Sequence, residues 1–130
     1  MVYADTSALA KLVLHEPESD ALAHWAIESE VRFLTAALTL TELPRAVMRT
    51  NTALLPEVRN QLQSCGIINL DASIYEEASR IGPPALRSLD AIHLTAALHL
   101  GNQLGAFLTY DERLAEAARG VGIRPISISA

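Results

Sequence analysis

Four acidic residues are the side chains of this chain most able to do chemistry together: Asp5, Glu42, Asp90 and Asp111. Asp5 closes an apolar run at the start of the sequence, and Asp111 closes a second apolar run near its end. If both runs are parallel strands of one sheet, the two carboxylates emerge at the carboxyl-end edge, where open α/β sheets bind ligands. Glu42 and Asp90 would reach the same edge from the starts of two helices.

A divalent cation is the partner that this set of side chains suits best. Four carboxylates that meet without a compensating basic cluster repel one another unless a cation joins them. The ligands would all be oxygen atoms, which favours Mg²⁺ or Mn²⁺ over Zn²⁺. The pattern therefore predicts one acidic metal site.

The same acids also have ordinary structural explanations. Glu42 could be the last residue of a capping box begun by Thr39, and Asp90 and Asp111 could be first-turn acids that favour the helix dipole. Asp5 is harder to explain in this way, because an acid that closes an apolar strand needs a partner.

The four histidines do not form a rival site by their spacing. His93 and His99 are six residues apart on a predicted helix and therefore point to different faces. His15 and His24 have no acidic or cysteine partner at ligand spacing. All four are interpreted as structural or surface residues.

Length and composition indicate one globular domain over residues 1–130, with 50% hydrophobic residues available for its core. The net charge is -5, the wrong sign for a protein that binds nucleic acid by bulk electrostatics. The four proposed site acids would account for most of that excess negative charge. The basic residues are nine Arg and the single Lys11, a bias that suits bidentate phosphate contacts but equally follows from coding bias.

The lone Cys65 cannot form an internal disulfide, and the sequence opens on a strand-like run rather than on a basic and then apolar leader. We therefore expect a reducing, cytoplasmic compartment. No apolar stretch approaches the roughly 18 to 20 residues that a membrane span requires.

Strand-like and helix-like segments alternate along the chain. Strands are predicted at 1–5, 32–36, 67–70, 103–110 and 123–128. Helices are predicted at 8–15, 21–29, 39–49, 57–64, 73–81, 89–100 and 111–119, with Thr6 and Ser7 as hydroxyl caps of the first. Right-handed crossovers between such segments predict a three-layer α/β/α sandwich around a mostly parallel sheet of four to five strands.

Four segments that contain these acids resemble the ordered acidic motifs of PIN-domain ribonucleases, in particular the VapC-type toxins of bacterial toxin–antitoxin systems. The segments are Ala4-Asp5-Thr6-Ser7-Ala8-Leu9, Thr41-Glu42-Leu43, Arg87-Ser88-Leu89-Asp90-Ala91-Ile92-His93 and Leu108-Thr109-Tyr110-Asp111-Glu112-Arg113-Leu114. Together they span essentially the whole chain. The resemblance implies a PIN-like fold and a Mg²⁺-dependent endoribonuclease, usually a homodimer, that cuts structured RNA such as tRNA or rRNA. It also implies a cognate antitoxin that holds the enzyme inactive.

By matching position, the resemblance makes Asp5, Glu42, Asp90 and Asp111 the acidic site, with Thr6 and Thr109 as hydroxyl neighbours. One departure from the motifs is Pro44, just after Glu42.

One or two Mg²⁺ ions held by the four acids would lower the pKa of a bound water and neutralise the charge that develops on phosphate. Arg45 and Arg49 share the helical face of Glu42, and Arg87 precedes the helix of Asp90. These three arginines are candidate RNA-phosphate contacts, or else ordinary surface residues.

Other classes of protein remain open on the sequence alone. A receiver-like signalling domain also clusters acids in about this length, but it needs a second acid beside Asp5 and a late Lys, and this chain has neither. An Asp-x-Asp phosphatase is opposed by Ser7 at the second position. A non-catalytic RNA- or protein-binding module of the same fold fits the motifs equally well.

The apolar side chains of Trp25, Leu54 and Leu55 are expected to exceed what one small core can bury, which favours a homodimer.

Overall fold

A five-stranded, all-parallel sheet lies at the centre of this computed structural model, which describes residues 1–130. Its strands are β1 (Val2–Ala4), β2 (Phe33–Ala36), β3 (Gly66–Ile68), β4 (Ala106–Leu108) and β5 (Pro125–Ile126). Across the sheet they follow the order β3-β2-β1-β4-β5. In register, Tyr3 of β1 lies beside Leu34 of β2 and beside Phe107 of β4.

Seven α-helices connect and flank the strands. They are α1 (Thr6–Val13), α2 (Ser19–Glu28), α3 (Thr39–Met48), α4 (Leu55–Gln63), α5 (Ala72–Ala78), α6 (Ser88–Leu98) and α7 (Glu112–Gly120). Two short 3₁₀ helices, Thr52–Leu54 and Gly101–Gln103, precede α4 and follow α6. None of the helices has both the length and the apolar character needed to cross a membrane.

Helices cover both faces of the sheet, because alternate strand residues point to opposite sides. Val2, Ala4 and Leu108 pack into one core with apolar residues of α1 to α4. Tyr3 and Phe107 pack into the second core with residues of α6 and α7. Both faces of the central strands are therefore apolar, which is typical of parallel sheets. The predicted three-layer α/β/α architecture is confirmed.

The chain reverses its direction across the sheet between β1 and β4. From β1 it proceeds to β2 and β3, and then returns through α5 and α6 to β4 on the other side of β1. Such a reversal opens a crevice at the carboxyl ends of the two strands, where α/β proteins bind ligands. Asp5 directly follows β1, and Asp111 lies three residues beyond the end of β4.

The predicted boundaries differ from the structure mainly at strand ends and helix caps. The predicted strand 103–110 shortens to β4, because Gln103 belongs to the preceding 3₁₀ helix. The sequence also suggests hydroxyl caps for α1, yet the Asp5 carboxylate accepts the bond from the Ala8 amide. Both hydroxyls near that helix start donate to carboxylates instead, Thr6 to Glu42 and Ser7 to Asp5.

Candidate active site

Asp5 is a buried carboxylate at the centre of the reversal between β1 and β4. Asp5 is only 4% exposed to solvent. Oδ1 accepts hydrogen bonds from the Ser7 hydroxyl at 2.7 Å and the Ala8 amide at 3.0 Å. Oδ2 accepts from the Thr109 hydroxyl at 2.7 Å. The local sequence thus uses one carboxylate both to begin α1 and to join β1 to the chain beyond β4.

Burial sets the protonation behaviour of Asp5. Loss of water around the carboxylate raises its pKa above the usual range, although the bonds from Ser7, Thr109 and Ala8 and the nearby His93 partly oppose this. A carboxylate in such surroundings is stabilised in its charged form by a cation.

Glu42 lies in the first turn of α3 and faces the amino-terminal end of α1 and the middle of α6. Its Oε1 accepts from the Thr6 hydroxyl at 2.7 Å and bonds to His93 Nε2 at 2.9 Å. Burial on its own would raise the pKa of Glu42, but the bonds from His93 and Thr6 outweigh it and hold the pKa below the usual range. The carboxylate is therefore ionised at neutral pH.

The capping-box explanation of Glu42 is wrong. The Thr39 hydroxyl bonds to the Thr35 hydroxyl at 2.8 Å, and the Glu42 carboxylate contacts Thr6 and His93. Pro44 lies inside α3, which continues to Met48. The proline therefore does not prevent Glu42 from reaching this edge of the sheet.

Asp90 and Asp111 are joined by one arginine. Arg87 Nε lies 3.2 Å from Asp90 Oδ2, and its Nη2 lies 3.3 Å from Asp111 Oδ2. The Arg87 side chain is 64% exposed. Asp111 also caps α7, because its Oδ1 accepts from the amides of Arg113 and Leu114, so this acid has a structural role at the start of that helix.

The four acids therefore form two groups at one edge of the sheet. The hydroxyl half consists of Asp5 and Glu42 with the side chains that bond to them, and the arginine half consists of Asp90 and Asp111 with Arg87. Thr109 connects the halves, because its Oγ1 donates to Asp5 and accepts from the Asp111 amide at 3.1 Å. No three Asp, Glu, His or Cys side chains lie at a spacing that would hold one metal ion in this conformation.

The other predicted contact residues fall into two classes. Arg45 and Arg49 are exposed, and neither forms an ion pair. Thr109 is 3% exposed and Thr6 donates to Glu42. Both threonines are thus hydroxyl neighbours of site acids, Thr109 of Asp5 and Thr6 of Glu42.

A cavity of about 640 Å³ adjoins the arginine half, between the start of α6 and one side of α7. Its wall includes Arg87 and Asp90, together with Leu86 and Arg113. The arginine half thus opens onto a space large enough for part of a polymer chain.

His93 is the site residue that the sequence analysis missed. It is 3% exposed and bonds to Glu42 and to the hydroxyl of Tyr3, so its interpretation as an ordinary structural or surface residue is incomplete. A signal was present, since His93 follows Asp90 by three residues and such residues share a helical face. Ser7 was also missed as a partner of Asp5; its position directly after Asp5-Thr6 carries no comparable signal.

Known proteins resemble this chain in sequence and in fold. The PIN domain family model matches residues 2–120. Ribonuclease VapC35 of Mycobacterium tuberculosis is 44% identical over 130 residues, covering 98% of this chain and 96% of its own.

Two solved structures share the fold. The chain is similar to VapC20 of Mycobacterium tuberculosis, described as a sarcin-ricin loop cleaving toxin, with a TM-score of 0.73, 15% identity, and coverage of 95% of this chain and 96% of that one. It is also similar to a chain of a toxin–antitoxin complex from Klebsiella pneumoniae, with a TM-score of 0.66, 21% identity, and coverage of 94% and 93%. Taken with the family match and the acids at the sheet edge, these likenesses lead to one conclusion: the chain belongs to the PIN-domain family, among its VapC-type ribonuclease toxins.

Proposed function

We propose that this protein is a Mg²⁺-dependent endoribonuclease that hydrolyses phosphodiester bonds in structured RNA, tRNA or rRNA, as the toxin of a toxin–antitoxin pair. The observation that carries the proposal is Asp5, a carboxylate 4% exposed at the strand reversal, with a second acid linked to it through Thr109. Membership among the VapC ribonucleases supports the same reaction class.

The donor chemistry of the site fits a hard divalent cation. Asp5, Glu42, Asp90 and Asp111 offer only carboxylate oxygens, the ligands that Mg²⁺ and Mn²⁺ prefer. These four residues would hold the metal. When bound, the metal supplies a water of lowered pKa and positive charge for the phosphate. Since Arg87 already pairs with Asp90 and Asp111, metal and arginine compete for the same oxygens.

The remaining residues would orient the carboxylates and the RNA. Thr6, Ser7 and Thr109 hold the carboxylates of the hydroxyl half by donating to them. Arg45 and Arg49, which are exposed, are proposed to contact RNA phosphates. Local contacts of this kind would offset the net charge of -5, which disfavours nucleic acid at long range.

Arg87 is proposed as a third phosphate contact. Its side chain pairs with the acids and also lines the cavity of about 640 Å³, where it could meet an RNA chain that enters that space. A planar guanidinium is suited to bidentate phosphate recognition.

A cognate antitoxin and a second copy of this chain are the proposed protein partners, and the cytoplasm is the proposed location. The Arg87 pairs illustrate how an antitoxin could block the site, since a guanidinium fits between Asp90 and Asp111. Trp25 and Leu54 are half-buried and pack against the core, and Leu55 is also half-buried, so these side chains give little support to the homodimer. Light scattering at micromolar concentration tests the dimer directly.

Cleavage of tRNA and rRNA by the purified protein, with Mg²⁺ or with EDTA, tests the proposed function. We expect discrete fragments with Mg²⁺ and none with EDTA. Asp5→Asn is the inactive control, and Asp71→Asn is its match, because Asp71 also caps a helix through its carboxylate but lies outside the site. RNA left intact by the wild-type protein in Mg²⁺ and in Mn²⁺ would favour a binding module of the same fold.

A further inference from the structure

A buried chain of hydrogen bonds leads from the sheet core to Glu42. The Tyr3 hydroxyl lies 2.6 Å from His93 Nδ1, and His93 Nε2 lies 2.9 Å from Glu42 Oε1. Tyr3 is fully buried and stacks on Phe107 with ring centroids 5.2 Å apart. The ring of His93 meets the Tyr3 ring edge-on at 5.8 Å. Tyr3 and His93 are therefore held in place by packing as well as by hydrogen bonds.

The direction of each hydrogen bond follows from the chemistry of the groups. An ionised carboxylate only accepts, so His93 Nε2 donates to Glu42. With that nitrogen protonated, a neutral imidazole leaves Nδ1 as an acceptor for the Tyr3 hydroxyl. The phenol of Tyr3 carries a proton at neutral pH and can donate it to this nitrogen. Tyr3 thus selects the tautomer that donates to Glu42.

The two carboxylate oxygens of Glu42 are bonded unequally as a result. Oε1 accepts from both His93 and Thr6, whereas Oε2 has no hydrogen-bond partner in the protein. Two bonds to one oxygen restrict the rotation of the carboxylate and leave the other oxygen for a ligand. A glutamate has three side-chain torsions, and fixing them in advance lowers the entropy that ligand binding must overcome.

We propose that His93, oriented by Tyr3, is a positioning residue that holds the Glu42 carboxylate with Oε2 directed to the acidic site. The inference rests on the proposed function. His93 acts through Glu42 and does not itself contact metal or RNA. Partners of this kind around metal-binding carboxylates typically change metal affinity or activity by roughly 10- to 100-fold when removed.

Three variants separate positioning from simple core packing. His93→Leu removes both hydrogen bonds, Tyr3→Phe removes only the one that selects the tautomer, and His93→Gln retains a side-chain amide that can donate to Glu42. We expect kcat for RNA cleavage to fall roughly 10- to 100-fold in His93→Leu, with KM little changed. The loss should be smaller in Tyr3→Phe, and His93→Gln should recover most of the activity.

The decisive comparison is a double-mutant cycle with Glu42. If His93 acts through Glu42, then His93→Leu causes no further loss once Glu42→Ala is present. Additive losses in kcat would overturn the proposal. Equal activity of His93→Leu and wild type would overturn it as well. If His93→Leu does not fold, the same cycle with Tyr3→Phe decides, by the same criterion.

A direct measurement of Mn²⁺ binding keeps this proposal distinct from the proposed nuclease function. Calorimetry should show weaker Mn²⁺ binding in His93→Leu than in wild type, whether or not any RNA tested is cut. His99→Leu is the matched control, because it removes another His–Glu contact, 2.7 Å from Glu77, at the far end of the same helix. Unchanged Mn²⁺ affinity in His93→Leu, or an equal loss in His99→Leu, would overturn the positioning role.

Discussion

The hydroxyl half and the arginine half of the acidic edge are built in different ways. Asp5 and Glu42 are held by short bonds from hydroxyls and from His93, and two of these partners, His93 and Thr109, are almost fully buried. Asp90 and Asp111 are held together by Arg87, whose side chain is mostly in solvent. Buried hydrogen bonds hold the first half, whereas one exposed side chain joins the two acids of the second half.

The difference indicates a division of roles. Carboxylates that hydrogen bonds already hold in place lose little further freedom when they bind a ligand, so the hydroxyl half is preorganised. An exposed ion pair contributes little stability and rearranges readily. We therefore expect that Arg87 can give up its place between Asp90 and Asp111 to a metal ion or to a basic side chain without disturbing the fold.

The largest expected effect is loss of RNA cleavage in Asp5→Asn and in Asp90→Asn. Each change removes a charged ligand at nearly constant volume, one from each half, so both halves should prove necessary. We expect a loss of at least about 100-fold in kcat/KM, on the scale of removing one essential electrostatic group. Wild-type rates in either folded variant would show that its half is dispensable, and circular dichroism checks that both variants fold.

A smaller effect is expected on the thermal stability of the wild-type protein. An ion that binds only the folded chain raises stability by about 2.7 kcal/mol at 100 times its dissociation constant. For a chain of this length, that corresponds to a rise in Tm of several degrees. Calorimetric melting curves with Mg²⁺ and with Mn²⁺ should both shift upward, and the shift should shrink in Asp5→Asn. A Tm that changes with neither ion would mean that the two halves do not form one metal site.

The pH dependence of stability should single out Asp5 within the hydroxyl half. Since burial raises its folded-state pKa, the folded protein holds this proton more tightly than the unfolded chain. The pKa of Asp5 in the unfolded chain is about 4. As pH rises from that value through the higher folded-state pKa, the metal-free wild type should therefore lose stability relative to Asp5→Asn. Urea unfolding in EDTA at a series of pH values measures the difference.

Asp71 provides a control of opposite sign for that experiment. Hydrogen bonds from the Ile74 amide and the Ser73 hydroxyl lower the pKa of Asp71. The wild type should therefore lose stability relative to Asp71→Asn as pH falls through this lowered pKa. The same trend in both variants would show that Asp5 is not set apart by its burial.

The smallest effect on stability is expected from Arg87→Gln in the arginine half. Because the side chain is largely exposed, the free energy of unfolding should change by no more than about 1 kcal/mol. Mn²⁺ should nevertheless bind more tightly, because a competing cation is removed from Asp90 and Asp111. Arg80→Gln, which breaks an exposed pair with Glu76, is the matched control. Weaker Mn²⁺ binding in Arg87→Gln alone would contradict the exchange between arginine and metal.

The alternation of apolar segments predicts the α/β/α layers and nearly all of the elements, because periodicity reports which side of each segment is buried. Caps and strand ends were less predictable. Asp5 took the capping position expected of a hydroxyl, since Thr6 and Ser7 were engaged by carboxylates. A hydroxyl can cap a helix or bond to a distant acid, and local sequence does not distinguish the two.

The sequence by itself determined the fold class, the family resemblance and the order in which four acids approach one edge. These depend on local patterns and on the rule that parallel strands share a carboxyl end. Only the tertiary structure decided the partners of each acid: Thr109 for Asp5, His93 for Glu42, and Arg87 shared by Asp90 and Asp111. Thr109 and Asp5 are 104 residues apart, and His93 and Glu42 are 51 apart. Contacts at such separations arise from packing of whole elements, which no local pattern encodes.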